Sequence, residues 1–167
     1  MTAPFLIEAL GSAHSRTEFA SGVEALDRYF REHVTQDVRR RVTACYVALD
    51  AATAQVAGYY TLSAASVALA DLPESLGKRL PRYPSVPVAR LGRLAVDQAY
   101  RGRQLGASLL WDAATRAVRS EMAVYALVVD AKDDQAVRFY LHHGFIAFGS
   151  LPRRLLLPLA SFAAVRG

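Results

Sequence analysis

The stretch Arg101-Gly102-Arg103-Gln104-Leu105-Gly106 has the residue types and spacing with the clearest chemical meaning in this chain. Before it, residues 88–97 alternate and carry Val and Leu, as a buried strand does; after it, residues 105–118 repeat apolar side chains at helical spacing. A tight basic turn feeding a helix N-terminus leaves backbone N–H groups unpaired at the positive end of the helix dipole. Such a place holds phosphate. The spacing excludes two common phosphate binders: neither the G-x-x-x-x-G-K-[ST] of nucleotide hydrolases nor the G-x-G-x-x-G of dinucleotide folds is present. A chance RGR turn ahead of an ordinary helix would look the same locally, so the loop alone does not fix the ligand.

Other reactive types are sparse. The lone Cys45 cannot form an internal disulfide or build a Cys-rich metal site, and its place in the apolar run 42–49 reads as core. His142 and His143 fall at a helix end without a third ligand spacing, so no metal is expected. Charge says more: 20 Lys and Arg oppose 15 Asp and Glu, and only Lys78 and Lys132 are lysines. Eighteen arginines on 167 residues suit a polyanionic ligand, because guanidinium forks pair with phosphate; codon usage gives the same enrichment without any ligand. Lys78, Arg79, Arg82 and Tyr83 mix cations with an aromatic ring, as a nucleic-acid contact or a solvated loop would.

The elements that must position these groups follow from periodicity. Residues 5–10 read as a first strand. Ser21-Gly22-Val23-Glu24 has capping-box spacing, so a helix is expected to begin at Ser21, with Val23, Leu26, Phe30 and Val34 on its inner face and an Asp27–Arg31 pair outside. It ends in Arg39-Arg40-Arg41, a helix C-terminus or a phosphate-binding edge. Residues 42–50 and 55–63 read as a hairpin across 51–54, with Tyr59 and Tyr60 on opposite faces, one in the core and one facing a cleft. Five breakers between 71 and 87 leave a short helix near 72–80 and a Pro-stiffened loop. Residues 124–130 read as a buried strand, 133–143 as a helix closed by Gly144, and 145–148 and 155–159 as two last strands. This order predicts one α/β (α+β) domain over residues 1–167, a mixed sheet with helices on its faces. The start Met1-Thr2-Ala3-Pro4 has no basic, apolar leader, and the longest apolar run, near 155–165, is broken by Pro158 and Ser161. A soluble cytoplasmic protein without membrane attachment is expected.

Two linked motifs carry a resemblance. The loop is similar to the acyl-CoA signature [QR]-x-x-G-x-[GA] of the GNAT N-acetyltransferases, with Arg101 and Gly106 at its ends and Gln104 where the second glycine is usual. Helical dihedrals are expected at Gln104, since a pyrophosphate needs only its amide; a positive φ there would cost roughly 1–2 kcal/mol. The segment AKDDQAVRFYLHHGF, residues 131–145, resembles the second GNAT signature. S-G-V-x-x-L-D from Ser21, G-Y-Y-T-L-S from Gly58, L-P-R-Y-P from Leu80 and G-R-L-A-V-D from Gly92 resemble one branch, the GNAT toxins of bacterial toxin–antitoxin modules.

The resemblance implies a GNAT fold, with a mostly antiparallel mixed sheet whose splayed central strands hold acetyl-CoA. It implies cofactor contacts from Leu94, Ala95, Val96, Arg101, Gly102, Arg103, Gln104, Leu105, Gly106, Ala107, Asp133 and Phe139. Tyr140 is implied as the acid that protonates the departing thiolate, with Phe139 free to take the core position. In this branch the enzyme acetylates the α-amino group of aminoacyl-tRNA and blocks translation, as a homodimer whose partner is a ribbon-helix-helix antitoxin. Arg90 and Arg93 stand where many GNAT enzymes place a glutamate base, and arginine cannot accept a proton. With Arg40, Arg79 and Arg82 they are expected to track a nucleic-acid backbone. An enzyme acting on a small amine or protein N-terminus, or a non-catalytic CoA-binding module, would share the cofactor half.

Overall fold

The computed structural model describes residues 4–166, with side chains to residue 163. The first three residues, on which the absence of a leader was read, lie outside the described residues. The strands are β1 (Phe5–Ala9), β2 (Ala44–Asp50), β3 (Val56–Ala68), β4 (Ser85–Val96), β5 (Ala126–Asp130), β6 (Ile146–Ala147) and β7 (Arg154–Pro158). They form one seven-stranded sheet in the order β1-β2-β3-β4-β5-β7-β6. β1–β2, β2–β3, β5–β7 and β6–β7 pair antiparallel and β4–β5 parallel, the mixed sheet expected of a GNAT fold. The parallel ladder runs only from Val88↔Ala126 to Leu91↔Val129, although β4 continues to Val96.

The chain clusters into two compact units, residues to Ser63 with Gly92–Ala113, and Ala64–Leu91 with residues from Ala114 onward. β3, β4 and the helix α4 (Leu105–Arg119) each give residues to both.

In the first unit, α1 (Glu24–Arg28) passes through a π-helical turn, Tyr29–His33, into α2 (Val34–Arg39). The helix begins at Glu24 rather than Ser21. Asp27, buried at 5% exposure, reaches back to accept from Ser21 N (2.9 Å), Ser21 Oγ (2.6 Å) and Gly22 N (3.3 Å). The anticipated Asp27–Arg31 surface pair is therefore absent: Arg31 donates to Phe19 O at 2.6 Å, and the i,i+4 pair is Arg28–Glu32 at 2.9 Å. The hairpin forms as read, with Tyr46 opposite Tyr60 and Val47 opposite Tyr59. Both Tyr59 and Tyr60 are fully buried, so neither faces an open cleft. Tyr59 stacks on Phe30 at 4.2 Å and donates to Leu26 O, whereas Tyr60 donates to Asp112 of α4 at 2.6 Å. Helices thus cover both faces of this hairpin, because alternate side chains leave a strand on opposite sides.

The second unit builds its core from Val67, Leu72, Val86, Val88, Ala126, Val128, Phe148 and Leu156. Its helices are α3 (Glu74–Gly77), α5 (Asp134–His142) and α6 (Leu159–Arg166). α6 was not anticipated: Pro158 ends β7 and leaves the rest of that apolar run to turn helical. Among the described residues no helix is long and apolar enough to cross a membrane.

Candidate functional site

In the first unit, β4 leads through Asp97 and a 3-10 turn, Gln98–Tyr100, into the 101–106 loop and then α4. Asp97 anchors the entry, accepting from Ala20 N (3.0 Å) and Ala99 N (2.9 Å), while Tyr100 donates to Asp50 Oδ2 at 2.8 Å. The Arg101 guanidinium donates to Ser21 O at 2.5 Å, so this arginine ties the loop to the turn before α1. Arg103 lies over the Tyr100 ring at 5.3 Å. Gly102 has φ +80° and open space where a Cβ would stand.

Gln104 has φ +59°, in the left-handed region. The expectation of helical dihedrals is overturned: the loop takes the geometry a glycine would adopt freely, and Gln104 carries the steric cost of its Cβ against the carbonyl. The conformation serves the helix start. The first backbone bond of α4 is Ser108 N to Gln104 O, 3.2 Å, and the N–H groups of Gly102, Arg103, Gln104, Leu105, Gly106 and Ala107 have no acceptor among the described residues. Leu105 is buried and anchors the helix, while Gly106 and Ala107 are half-buried beside it. This is an array of donors with room for an anionic group, as a pyrophosphate requires.

Upstream, Leu94 and Val96 are half-buried and Ala95 is buried at 4% exposure. One residue that sequence reasoning passed over shapes this strand. Thr61, buried at 2% exposure, accepts the Arg93 N–H on its Oγ1 at 3.0 Å, and that oxygen would lie 2.8 Å from any Cβ at Gly92. A side-chain hydroxyl thus occupies space only a glycine leaves. The paired signals, a Thr inside an apolar strand and a Gly inside another, do not show in either strand alone. The Arg93 guanidinium stacks on the Tyr29 ring at 3.4 Å, and Tyr29 in turn donates to Asp37 at 2.8 Å. Burial, then the Asp37 hydrogen bond, raises the Tyr29 pKa well above the usual phenol range.

In the second unit, Asp133 caps α5 by accepting from Ala136 N at 2.8 Å and pairs with Lys132 at 3.2 Å. That hydrogen bond, with Lys132 second, holds the Asp133 carboxyl below the usual range. Tyr140 is the buried residue of this helix, at 6% exposure, and Phe139 is only half-buried, the reverse of the expected division. Phe139 and Phe145 flank the Tyr140 ring, each with its centroid 5.2 Å away. The Tyr140 hydroxyl has no hydrogen bond to a described residue, and no sealed side-chain oxygen or nitrogen among the described residues lacks a partner. Its oxygen is therefore the accessible tip of a buried ring. Burial raises its pKa well above the usual phenol value, so the group is a proton carrier at neutral pH.

The expected substrate arginines differ in their freedom. Arg40 is exposed at the end of α2, and Arg79 and Arg82 are exposed beyond α3. Arg90 pairs with Asp130 at 3.0 Å, which Arg154 also grips at 2.8 Å. These arginines, Arg154 first, hold the Asp130 carboxyl below its ordinary range. Cys45 is a core thiol at 3% exposure, pushed up to about 12 by burial. Among the described residues no group of three His, Cys, Asp or Glu could hold a metal ion.

Comparison with known proteins gives concordant likenesses. The model of the acetyltransferase (GNAT) family matches residues 8–145. The chain is 34% identical over 160 residues to a tRNA-acetylating toxin of Mycobacterium tuberculosis, covering 95% of this chain and 94% of that protein. Among solved structures it is similar to AtaT complexed with acetyl-methionyl-tRNAfMet, at 29% identity and a TM-score of 0.90 over 98% of this chain and 99% of that one. It is similar too to AtaTR bound with AcCoA, at 28% identity and a TM-score of 0.80 over 98% and 99% of the two chains.

Proposed function

The chain belongs to the GNAT acetyltransferase family, and from that premise we propose that it transfers the acetyl group of acetyl-CoA to the α-amino group of an aminoacyl-tRNA, as the toxin of a toxin–antitoxin pair. The likeness to a tRNA-acetylating toxin over nearly the whole chain carries the choice of substrate. In this reading both compact units make one catalytic domain. The protein works in the cytoplasm as a homodimer and is held in check by a ribbon-helix-helix antitoxin.

The residues suit acetyl-CoA: the 102–107 amides have no acceptor among the described residues, and the space beside Gly102 is open. The cosubstrate supplies the acetyl group as a thioester. The N–H groups of residues 102–107 hold its pyrophosphate, with Arg103 beside them. Backbone groups of Leu94, Ala95 and Val96 pair with the amides of the pantetheine arm, and Asp133 and Phe139 bound that arm. Tyr140 gives its hydroxyl proton to the sulfur as the C–S bond breaks and the N–C bond to the amine forms; the amine's surplus proton passes to water, and water returns a proton to the Tyr140 phenolate. A phenol with a raised pKa is a weak acid, but a thiolate formed in equally desolvated surroundings is a stronger base than in water, so the transfer stays matched. No carboxylate base is needed, because an aminoacyl ester's amine titrates at or below ~8 and is partly neutral at pH 7. Arg40, Arg79 and Arg82, exposed, meet the phosphates of the acceptor stem, whereas Arg90 and Arg93, expected beside them, are engaged by Asp130 and by the Tyr29 ring.

The test offers labelled acetyl-CoA with charged tRNA, stripped tRNA, free amino acid and peptides in parallel. Label should enter charged tRNA alone, more slowly at high salt as phosphate contacts are screened. A free amino acid acetylated as well as its tRNA ester would replace this reading with a small-amine enzyme.

A further inference from the structure

The second unit carries two neighbouring hollows that share one wall, the side chain of Tyr83. One, of about 300 Å³, is apolar, lined by Tyr83 and Tyr125 with Pro81, Val86, Pro87 and Val124. The other, of about 500 Å³, places Lys78 and Arg82 with a single acid, Glu74, on its side of Tyr83. Tyr83 itself is 69% exposed, a ring held out in water between a non-polar slot and a cationic one.

The surroundings are fixed before any ligand arrives. Pro81, Pro84 and Pro87 lock their φ angles. Leu69 N donates to Pro84 O at 3.1 Å and Tyr125 N to Pro87 O at 2.8 Å, pinning the loop at both ends of the slot. Of its lining, Val86 belongs to the core and Leu80 packs against that core. A preformed slot forfeits little ordering entropy on binding. Charge here is predominantly positive: residues 77–91 hold Lys78, Arg79, Arg82 and Arg90 and no acid, with Glu74 the one acid lining the cationic hollow. Arg90 is spent on Asp130, but Lys78, Arg79 and Arg82 have no ion pair among the described residues. Arg79 is also an electrostatic neighbour of the Tyr125 hydroxyl, opposing the rise that burial gives it.

An apolar slot lined by two tyrosines and adjoining cations without ion pairs among the described residues is complementary to a nucleotide, whose two ends are a stackable base and a phosphate. We propose that Tyr83 and Tyr125 hold one unpaired base of an RNA single strand, with Lys78 and Arg82 on its phosphates. This deepens the tRNA reading and rests on it for the identity of the strand: the slot takes a base from the unpaired end that carries the amino acid. Arg79 adds a phosphate contact on the same rim.

Tyr83→Ala and Tyr83→Trp test it, with Lys78→Ala and Arg82→Ala for the phosphate side. Loss of one base–aromatic stack should raise KM for charged tRNA about 10-fold in Tyr83→Ala and leave KM for acetyl-CoA and kcat unchanged, and Trp should restore it. Each cation removed should flatten the log–log salt slope by about 0.7, the single-strand value. A wild-type KM for tRNA in Tyr83→Ala, in an enzyme that does acetylate tRNA, overturns the slot. If the wild type acetylates no tRNA, the function proposed above fails and the slot is judged by anisotropy of a labelled single-stranded RNA oligonucleotide: binding weakened by Tyr83→Ala supports it, and unchanged binding overturns it. An acidic peptide with an apolar anchor that needs Tyr83 while the oligonucleotide does not would reassign the slot to a protein partner, which also overturns the proposal. Tyr83 is exposed, so the variants should fold, and their melting curves check it.

Discussion

Replacing Gln104 by glycine should make this protein more stable without changing how it holds its cosubstrate. The reason is one dihedral: φ +59° at a residue that carries a Cβ. A left-handed residue other than glycine costs roughly 1–2 kcal/mol, and glycine removes that cost while adding about 0.5–1 kcal/mol of unfolded-chain freedom. The difference is a net gain of about 0.5–1 kcal/mol. The Gln104 side chain is exposed and makes no hydrogen bond to a described residue, so little packing is lost to offset it. For a chain of this length that gain lifts Tm by about 2 °C. Gln104→Ala is the control: it keeps the Cβ and therefore the strain, so its Tm should match the wild type within about a degree on the same argument. Gln104→Val, branched at Cβ, should fall below both. Calorimetry reads the melting temperatures. Titration with acetyl-CoA should return a Kd within about 2-fold of wild type for the glycine variant, since the amide of residue 104 stays where it was. A glycine variant that melts lower, or an alanine variant stabilised as much, would refute the account of the loop as strained.

Two more outcomes test other parts of the molecule. Tyr140→Phe removes the hydroxyl and leaves the ring, so acetyl-CoA should still raise Tm by mass action while kcat falls about 100-fold or more; turnover at the wild-type level would return Tyr140 to a packing role. Burial pushes the Cys45 thiol up to about 12, from ~8.5 in an unfolded chain. The folded state binds this proton more tightly, so the contribution is complete below pH ~8.5 and is lost as pH rises toward 12. Urea unfolding between pH ~8.5 and ~10, before the unfolded-state tyrosines titrate, should therefore decline less steeply in Cys45→Ala than in wild type. Equal slopes would show that the thiol is not buried.

Much of the architecture was legible because its signals are local. The alternation of β2 and β3, the helical spacing of 105–118 and the apolar run of β5 each follow from a side-chain period that the backbone imposes. The basic strand-to-helix turn was legible for the same reason: a strand, two glycines and a helix start lie within a few residues of one another. The acetyltransferase reading came from two such motifs in order, and the family match over residues 8–145 agrees with it.

What the sequence left open depended on partners distant along the chain. Ser21 reads as a helix cap until Asp27, six residues on, captures its N–H and hydroxyl and moves the helix start to Glu24. Tyr59 and Tyr60 must diverge in any strand, but only the presence of a helix on each face decides that both are buried. The Gln104 side chain gave no sign of its dihedral, although the glycine usual at that place in the family signature did, because φ at a loop residue is set by how the strand before it and the helix after it must join. Thr61 and Gly92 are unremarkable separately, and their meaning appears once packing sets the hydroxyl of one against the missing Cβ of the other. Composition and period determine which elements form and which chemistry is on offer. Tertiary contact decides which polar groups are spent on the fold, as Arg101 and Arg90 are, and which, such as the 102–107 amides and the Tyr140 hydroxyl, are left with no partner among the described residues.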